Sequence, residues 1–262
     1  MSDRSADNQS LVESRGHQLE YRLLGEGRDR AQLVFLHEGL GSIDLWREFP
    51  DQVVRTTGRP GLVYSRYGHG WSDPLDGPRT PRFMHQEALD VLPGIVEQTA
   101  THAPILIGHS DGASIALIYA GAGNPVSGLV LIAPHVMVED VGVKYLASQA
   151  RTYDETNLAH RMAKYHADPD TTFRGWSDVW LSDAFRSWNI EEFLPSINCP
   201  VLLIQCRGDR YGTLIHLDMI EDTVSGRTQR LVLEGDSHSP HLSHSEDVVR
   251  ATAEFIEKLE EG

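Results

Sequence analysis

Short apolar runs recur along the chain, and most are followed by a polar or glycine-containing loop. They are Leu33-Val34-Phe35-Leu36, Gly61-Leu62-Val63-Tyr64-Ser65, Ile105-Leu106-Ile107, Leu129-Val130-Leu131-Ile132, Val201-Leu202-Leu203-Ile204 and Arg230-Leu231-Val232-Leu233. None alternates strictly between apolar and polar. Strands buried on both faces lack that alternation, so the runs predict a parallel sheet covered by helices. Gln18 to Leu23 does alternate and predicts an edge hairpin strand. Between the runs the period changes. Phe83, Glu87, Val91 and Ile95 are spaced by four, with Ala88, Leu92 and Val96 beside them, which predicts a helix from Phe83 to Gln98. Ser245 is placed to cap a closing helix from Glu246 to Leu259.

The rhythm stops between Pro134 and Cys199, where only helical stretches occur, with Trp176, Trp180, Phe185 and Trp188 among them. A long segment without strands, placed between two sheet strands, predicts an inserted cap. The expected organisation is a core of residues 1–134 and 199–262 with a helical cap at 135–198, over the carboxyl end of the sheet.

Composition narrows the function classes. The chain has 262 residues and a formal charge of −15. That balance argues against nucleic acid and against anionic membrane surfaces. Met1 to Ser10 reads as a loose polar tail without a signal-peptide core, and no stretch is apolar for the ~18–20 residues of a membrane span. Cys199 and Cys206 flank or lie in one strand, where they are not placed to bridge each other. Reduced thiols fit a cytoplasmic location.

The chemistry concentrates at Gly108-His109-Ser110-Asp111-Gly112, which follows a strand and precedes a helix. G-x-S-x-G in that setting presents a serine nucleophile at a strained strand-to-helix turn. A serine hydroxyl needs a base, and the base needs an orienting carboxylate. Asp209 follows the strand at Val201 and His238 follows the strand at Leu231, in the chain order Ser, Asp, His. Asp236 is a rival acid, and His241 and His244 are rival bases that could instead pair with Glu246 or Asp247. An oxyanion needs two donors. The Asp111 N–H is one. The loop His37-Glu38-Gly39-Leu40-Gly41-Ser42 supplies the other, from Gly39 or alternatively Leu40. No zinc-binding spacing accompanies the histidines, so neither metal nor cofactor is expected.

Together these residues resemble the α/β-hydrolase superfamily, from about Leu19 to Leu259. Leu36 to Ser42 is similar to its oxyanion loop, Gly108 to Gly112 to its nucleophile elbow, Gly208-Asp209 to its acid turn and Ser237 to His241 to its histidine loop. Tyr64 to Asp73 is similar to the loop after its fourth strand. The resemblance implies an α/β fold with an eight-stranded, mostly parallel sheet, a helical cap, and Ser110, Asp209 and His238 as a triad. One departure matters. The usual His-Gly dipeptide is His37-Glu38 here, which resembles a bacterial H-E-G-L-G-S subgroup. An ionised Glu38 close to the oxyanion would oppose it, so its side chain is expected to turn away or to pair with a residue such as Arg66.

The implied reaction is hydrolysis of a small-molecule ester, lactone or activated C–C bond through an acyl-enzyme. A cofactor-free lyase, oxygenase or perhydrolase on the same scaffold, and a non-catalytic ligand receptor, are the alternatives. Expected substrate contacts are His37, Glu38, Leu40, Arg66, His109, His135 and Trp180, with Trp46, Trp176 and Trp188 fitting either pocket or core. Arg66 could hold a substrate carboxylate or form a surface salt bridge. The cap aromatics could also form a homo-oligomer interface.

Overall fold

The computed structural model describes residues 10–25 and 33–259. Most of the polar tail, residues 1–9, lies outside them. Eight strands form one sheet: β1 Ser10–Ser14, β2 His17–Leu24, β3 Leu33–Leu36, β4 Gly61–Tyr64, β5 Ile105–His109, β6 Gly128–Ile132, β7 Val201–Cys206 and β8 Thr228–Leu233. Their spatial order is β1-β2-β4-β3-β5-β6-β7-β8. β1 and β2 are antiparallel to their neighbours and the remaining pairs are parallel. The helices are α1 Phe49–Thr57, α2 Phe83–Gln86, α3 Leu92–Thr99, α4 Asp111–Gly121, α5 Asp140–Glu155, α6 Leu158–Met162, α7 Pro169–Leu181, α8 Ile215–Thr223, α9 Pro240–Ser243 and α10 Ser245–Lys258.

The runs without alternation are buried on both sides. Leu33, Phe35, Ile105, Ile107, Val130 and Ile132 pack with Phe49 and Val53 of α1 and Val248 and Phe255 of α10. Val34, Leu36, Leu106, Leu129 and Leu131 face the other way, toward residues of α3, α4 and α8 and the helices between β6 and β7. Each such aliphatic side chain contributes about 1.5–3 kcal/mol through removal from water.

Strand order also places the site. β4 and β5 flank β3 on opposite sides, so the connections after β3 and β5 diverge at a switch point. A crevice opens there at the carboxyl ends of the strands. Leu36 pairs with Gly108 across that point, which brings the loop after β3 beside the turn after β5.

Three local expectations need correction. β2 is not the edge strand, because β1 pairs outside it through a two-residue turn, Arg15 and Gly16, both at positive φ. The helix expected over Phe83 to Gln98 is interrupted by a π turn, Glu87–Val91. Pro93 in the next turn lacks the N–H that would continue the α ladder. Ser245 is the first residue of α10 and not its cap; its hydroxyl donates to Gln52 Oε1 at 2.9 Å. Between β6 and β7 the described residues form helices and no strand, apart from one bridge joining Met137 and Asn189. No helix among the described residues is long and apolar enough to cross a membrane.

Candidate active site

β5 ends at His109 and α4 begins at Asp111, so Ser110 must reverse the chain alone. It does so at φ 53°, ψ −119°, a region that L-residues other than glycine rarely occupy. The neighbouring glycines are sterically required. A Cβ at Gly108 would stand 2.5 Å from the Gly112 carbonyl oxygen, and one at Gly112 would stand 1.9 Å from that of Leu36. The Ser110 N–H donates to the Ile132 carbonyl at 2.8 Å, tying the turn to β6. Asp111 opens α4, where an N–H has no partner within its own helix.

Ser110 Oγ lies 2.9 Å from His238 Nε2. His238 Nδ1 lies 2.7 Å from Asp209 Oδ2. Facing a carboxylate, Nδ1 carries the proton and donates it, which leaves Nε2 free to accept from the Ser110 hydroxyl. Asp209 is itself fixed by the Tyr211 N–H, which donates to Oδ1 at 2.9 Å. The rivals lie elsewhere. Asp236 is exposed and pairs with Arg210 at 2.6 Å. His241 is buried against the rings of Trp46, Phe49 and His109. Burial pushes its pKa well down, so the ring is neutral. His244 contacts the Ser243 hydroxyl at 2.9 Å, and Asp247 pairs with Arg250.

The loop after β3 is held by its carbonyls. Arg66 Nη2 donates to the Glu38 oxygen at 2.8 Å and to that of His37 at 3.3 Å. His69 Nε2 donates to Gly39 at 2.9 Å, and His166 Nε2 to Leu40 at 3.0 Å. In a trans peptide the N–H points opposite to the preceding C=O. The Gly39 and Leu40 N–H groups therefore point away from Arg66 and His69 respectively. Trp176 of α7 covers Gly39 so closely that a Cβ there would meet its Nε1 at 2.0 Å.

Several expected substrate contacts have other duties. His37 is fully buried. Its Nε2 accepts from the Arg66 N–H at 3.0 Å, and its Nδ1 donates to the Glu38 carbonyl at 2.7 Å, so neither nitrogen is left for a ligand. Arg66 is also fully buried and is no surface salt bridge. It does not pair with the Glu38 carboxylate. That carboxylate faces His109 Nδ1 at 3.5 Å. Burial pushes the Glu38 carboxyl up, but His109 and His37 outweigh it and hold the group ionised. His109 Nε2 donates to the His238 carbonyl at 2.7 Å, so Glu38 and His109 link the loop after β3 to the loop after β8. Trp46 packs edge-on against Phe35, and Trp188 stacks on Phe185; both belong to the core. His135 and Trp180 do lie at the site, with the His135 ring 5.8 Å from that of His238 and 5.4 Å from that of Trp180. Leu40 is half-buried against the core. Burial also pushes the pKa of His37, His69, His135 and His166 down.

Sequence reasoning missed His69, His166, Arg79 and Tyr211. The Tyr211 ring is 4.5 Å from that of His238, and its place two residues after Asp209 was the available signal. His166 lies in the connection between α6 and α7 with no motif around it, and nothing local marks it.

The profile of the Alpha/beta hydrolase family matches residues 33–251. A proline iminopeptidase of Lactobacillus delbrueckii subsp. lactis is 36% identical over 98 residues, 37% of this chain and 33% of the relative. The match thus spans about a third of that relative's length. A mouse protein, serine hydrolase BPHL, is 22% identical over 97% of this chain and 88% of its own. A thermophilic esterase from Thermogutta terrifontis superposes with a TM-score of 0.74 at 18% identity, covering 96% of this chain and 99% of the esterase. At that identity the likeness speaks for the fold.

Proposed function

This chain belongs to the alpha/beta hydrolase family and is a hydrolase of that class, and we propose that it is a serine hydrolase cleaving a small-molecule carbonyl substrate through an acyl-enzyme. The observation that carries this reading is the continuous contact from Asp209 through His238 to the Ser110 hydroxyl, at 2.7 and 2.9 Å. Ser110 passes its proton to His238 Nε2 as Oγ attacks the carbonyl carbon. The oxyanion is held by the N–H groups of Asp111 and Gly39, with Leu40 beside them. One such donor supplies about 2.7–4 kcal/mol of transition-state stabilisation in related chemistry. His238 then protonates the leaving group, and the same ring activates water to release the acyl group. Asp209 keeps the ring in the competent tautomer and stabilises its charged form.

A small substrate is favoured because Ser110 is only 6% exposed beneath the helices between β6 and β7. Ester, lactone and activated C–C substrates share the attack step, and a panel of the three separates them. The decisive test is Ser110→Ala with p-nitrophenyl acetate, alongside fluorophosphonate labelling followed by intact mass. Turnover and labelling are expected to vanish together. Full turnover by the alanine variant would remove Ser110 from the chemistry.

A further inference from the structure

Beside the nucleophile lies a buried centre in which donors outnumber acceptors. Arg66 is fully buried, and only its Nη2 is used, on the two loop carbonyls. Its Nε and Nη1 have no partner. Arg79 spends its Nη2 on the Tyr67 carbonyl and His69 Nδ1, and its buried Nε has no partner. The indole Nε1 of Trp176 is likewise buried and unpartnered, whereas that of Trp180 is directed at the Asp111 carboxylate. The nearby acceptors are the carboxylates of Asp111, which faces Trp180, and Glu87, which accepts from the Tyr64 hydroxyl at 2.8 Å.

The residues are tied to the reacting centre. Asp111 follows Ser110 directly. Trp176 Nε1 lies against Gly39, and a Cβ at Gly175, next to Trp176, would be 3.6 Å from Arg79 Nε. Arg66 grips the peptide whose N–H is the proposed second oxyanion donor. A buried guanidinium edge without a partner is destabilising, and unpartnered donors of this kind are met by an acceptor-only anion. Burial pushes the nearby carboxyls of Asp111 and Glu87 up, while Arg66 and Arg79 pull them down, which places both cations within electrostatic reach of these two groups. Arg79 additionally lines a cleft of about 610 Å³ between residues 75–81 and α7, so the centre is bordered by open space on that side.

We propose that the acyl side of the pocket carries a carboxylate-binding subsite formed by Arg66, Arg79 and the indole N–H of Trp176, which selects acyl groups bearing a second, anionic end. A carboxylate matches a guanidinium edge in shape and presents acceptors only. This rests on the serine hydrolase reading for its catalytic meaning, but the subsite can bind independently of turnover.

The experiment pairs monomethyl glutarate with methyl pentanoate, which differ in the terminal carboxylate. The wild type is expected to show a kcat/KM at least tenfold higher for the anionic ester. Arg79→Gln and Trp176→Phe should each cut the ratio of the two kcat/KM values severalfold or more, and Arg79→Lys should restore part of it. Calorimetric titration of Ser110→Ala with monomethyl glutarate should give binding that Arg79→Gln weakens about tenfold. If neither ester is cleaved but the anion still binds in an Arg79-dependent way, the subsite stands and the hydrolase reading falls. If both esters are cleaved alike, and Ser110→Ala binds the anion no better than the neutral ester, the subsite is refuted and the hydrolase reading stands. Binding that ignores both substitutions also overturns the proposal.

Discussion

The backbone of Ser110 offers a test in which the usual sign of a substitution is expected to fail. At an ordinary buried position, glycine is less stable than alanine by about 1–2 kcal/mol. Roughly 0.4–1 kcal/mol of that comes from the freer unfolded chain and about 0.8 kcal/mol from the lost methyl. Position 110 holds φ at 53° and ψ at −119°, where a Cβ is strained and glycine is not. Strain of this kind is worth about 1–3 kcal/mol. Ser110→Gly and Ser110→Ala both delete the hydroxyl and its contact with His238, so comparing the two isolates the backbone. Relief of strain should cancel the ordinary deficit or reverse it, leaving the glycine variant at least as stable as the alanine variant. Urea unfolding of both proteins in parallel, with equal m-values, measures this directly. A glycine variant weaker by the full 1–2 kcal/mol would show that the turn stores no strain.

Two further outcomes are expected. Asp209→Asn preserves shape but allows the wrong ring tautomer at His238, and should lower kcat by about 10⁴ with little change in KM, measured on an activated ester. Glu139, just before α5, accepts from the Thr213 N–H at 2.7 Å and the Thr213 hydroxyl at 2.9 Å, and lies 2.9 Å from His216 Nε2. Burial pushes its carboxyl up, but His216 and Thr213 pull it down further, from 4.5 to about 2. A carboxyl lowered in the fold stabilises the protein above its unfolded pKa, and that contribution is lost as pH falls through the folded value. The full linkage would be about 3 kcal/mol, reduced to roughly 1–2 kcal/mol by partial solvent screening. Glu139→Gln should therefore destabilise the protein at pH 7, with the gap from wild type closing between pH 5 and pH 2 in denaturant titrations. A gap independent of pH would refute the assignment.

Much of the fold was legible because burial on both faces leaves a simple mark, four or five apolar residues in a row. Asp209 and His238 could be paired from the chain alone because each follows a strand that ends at the same edge of the sheet as β5. What was hidden depends on distances no pattern encodes. β1 closes through an Arg-Gly turn that carries no strong hairpin signal. Glu38 looked like a hazard to the oxyanion, yet its partner His109 sits 71 positions away and becomes its neighbour only through the Leu36–Gly108 register. Arg66 read as a surface or ligand cation, and its grip on the Glu38 carbonyl could not be inferred before β4 was placed beside β3.

The contact between His166 and the Leu40 carbonyl has a wider consequence. His166 also accepts from the Gly70 N–H at 3.0 Å, the Ala167 N–H donates to Gly70, and the Thr172 hydroxyl donates to Gly68. This part of the segment between β6 and β7 is thus riveted to the loops after β3 and β4. It cannot swing open as a free flap without loosening those loops. Grafting a different segment between β6 and β7 would require matching residues at 37–42 and 66–70, so these parts change as one unit.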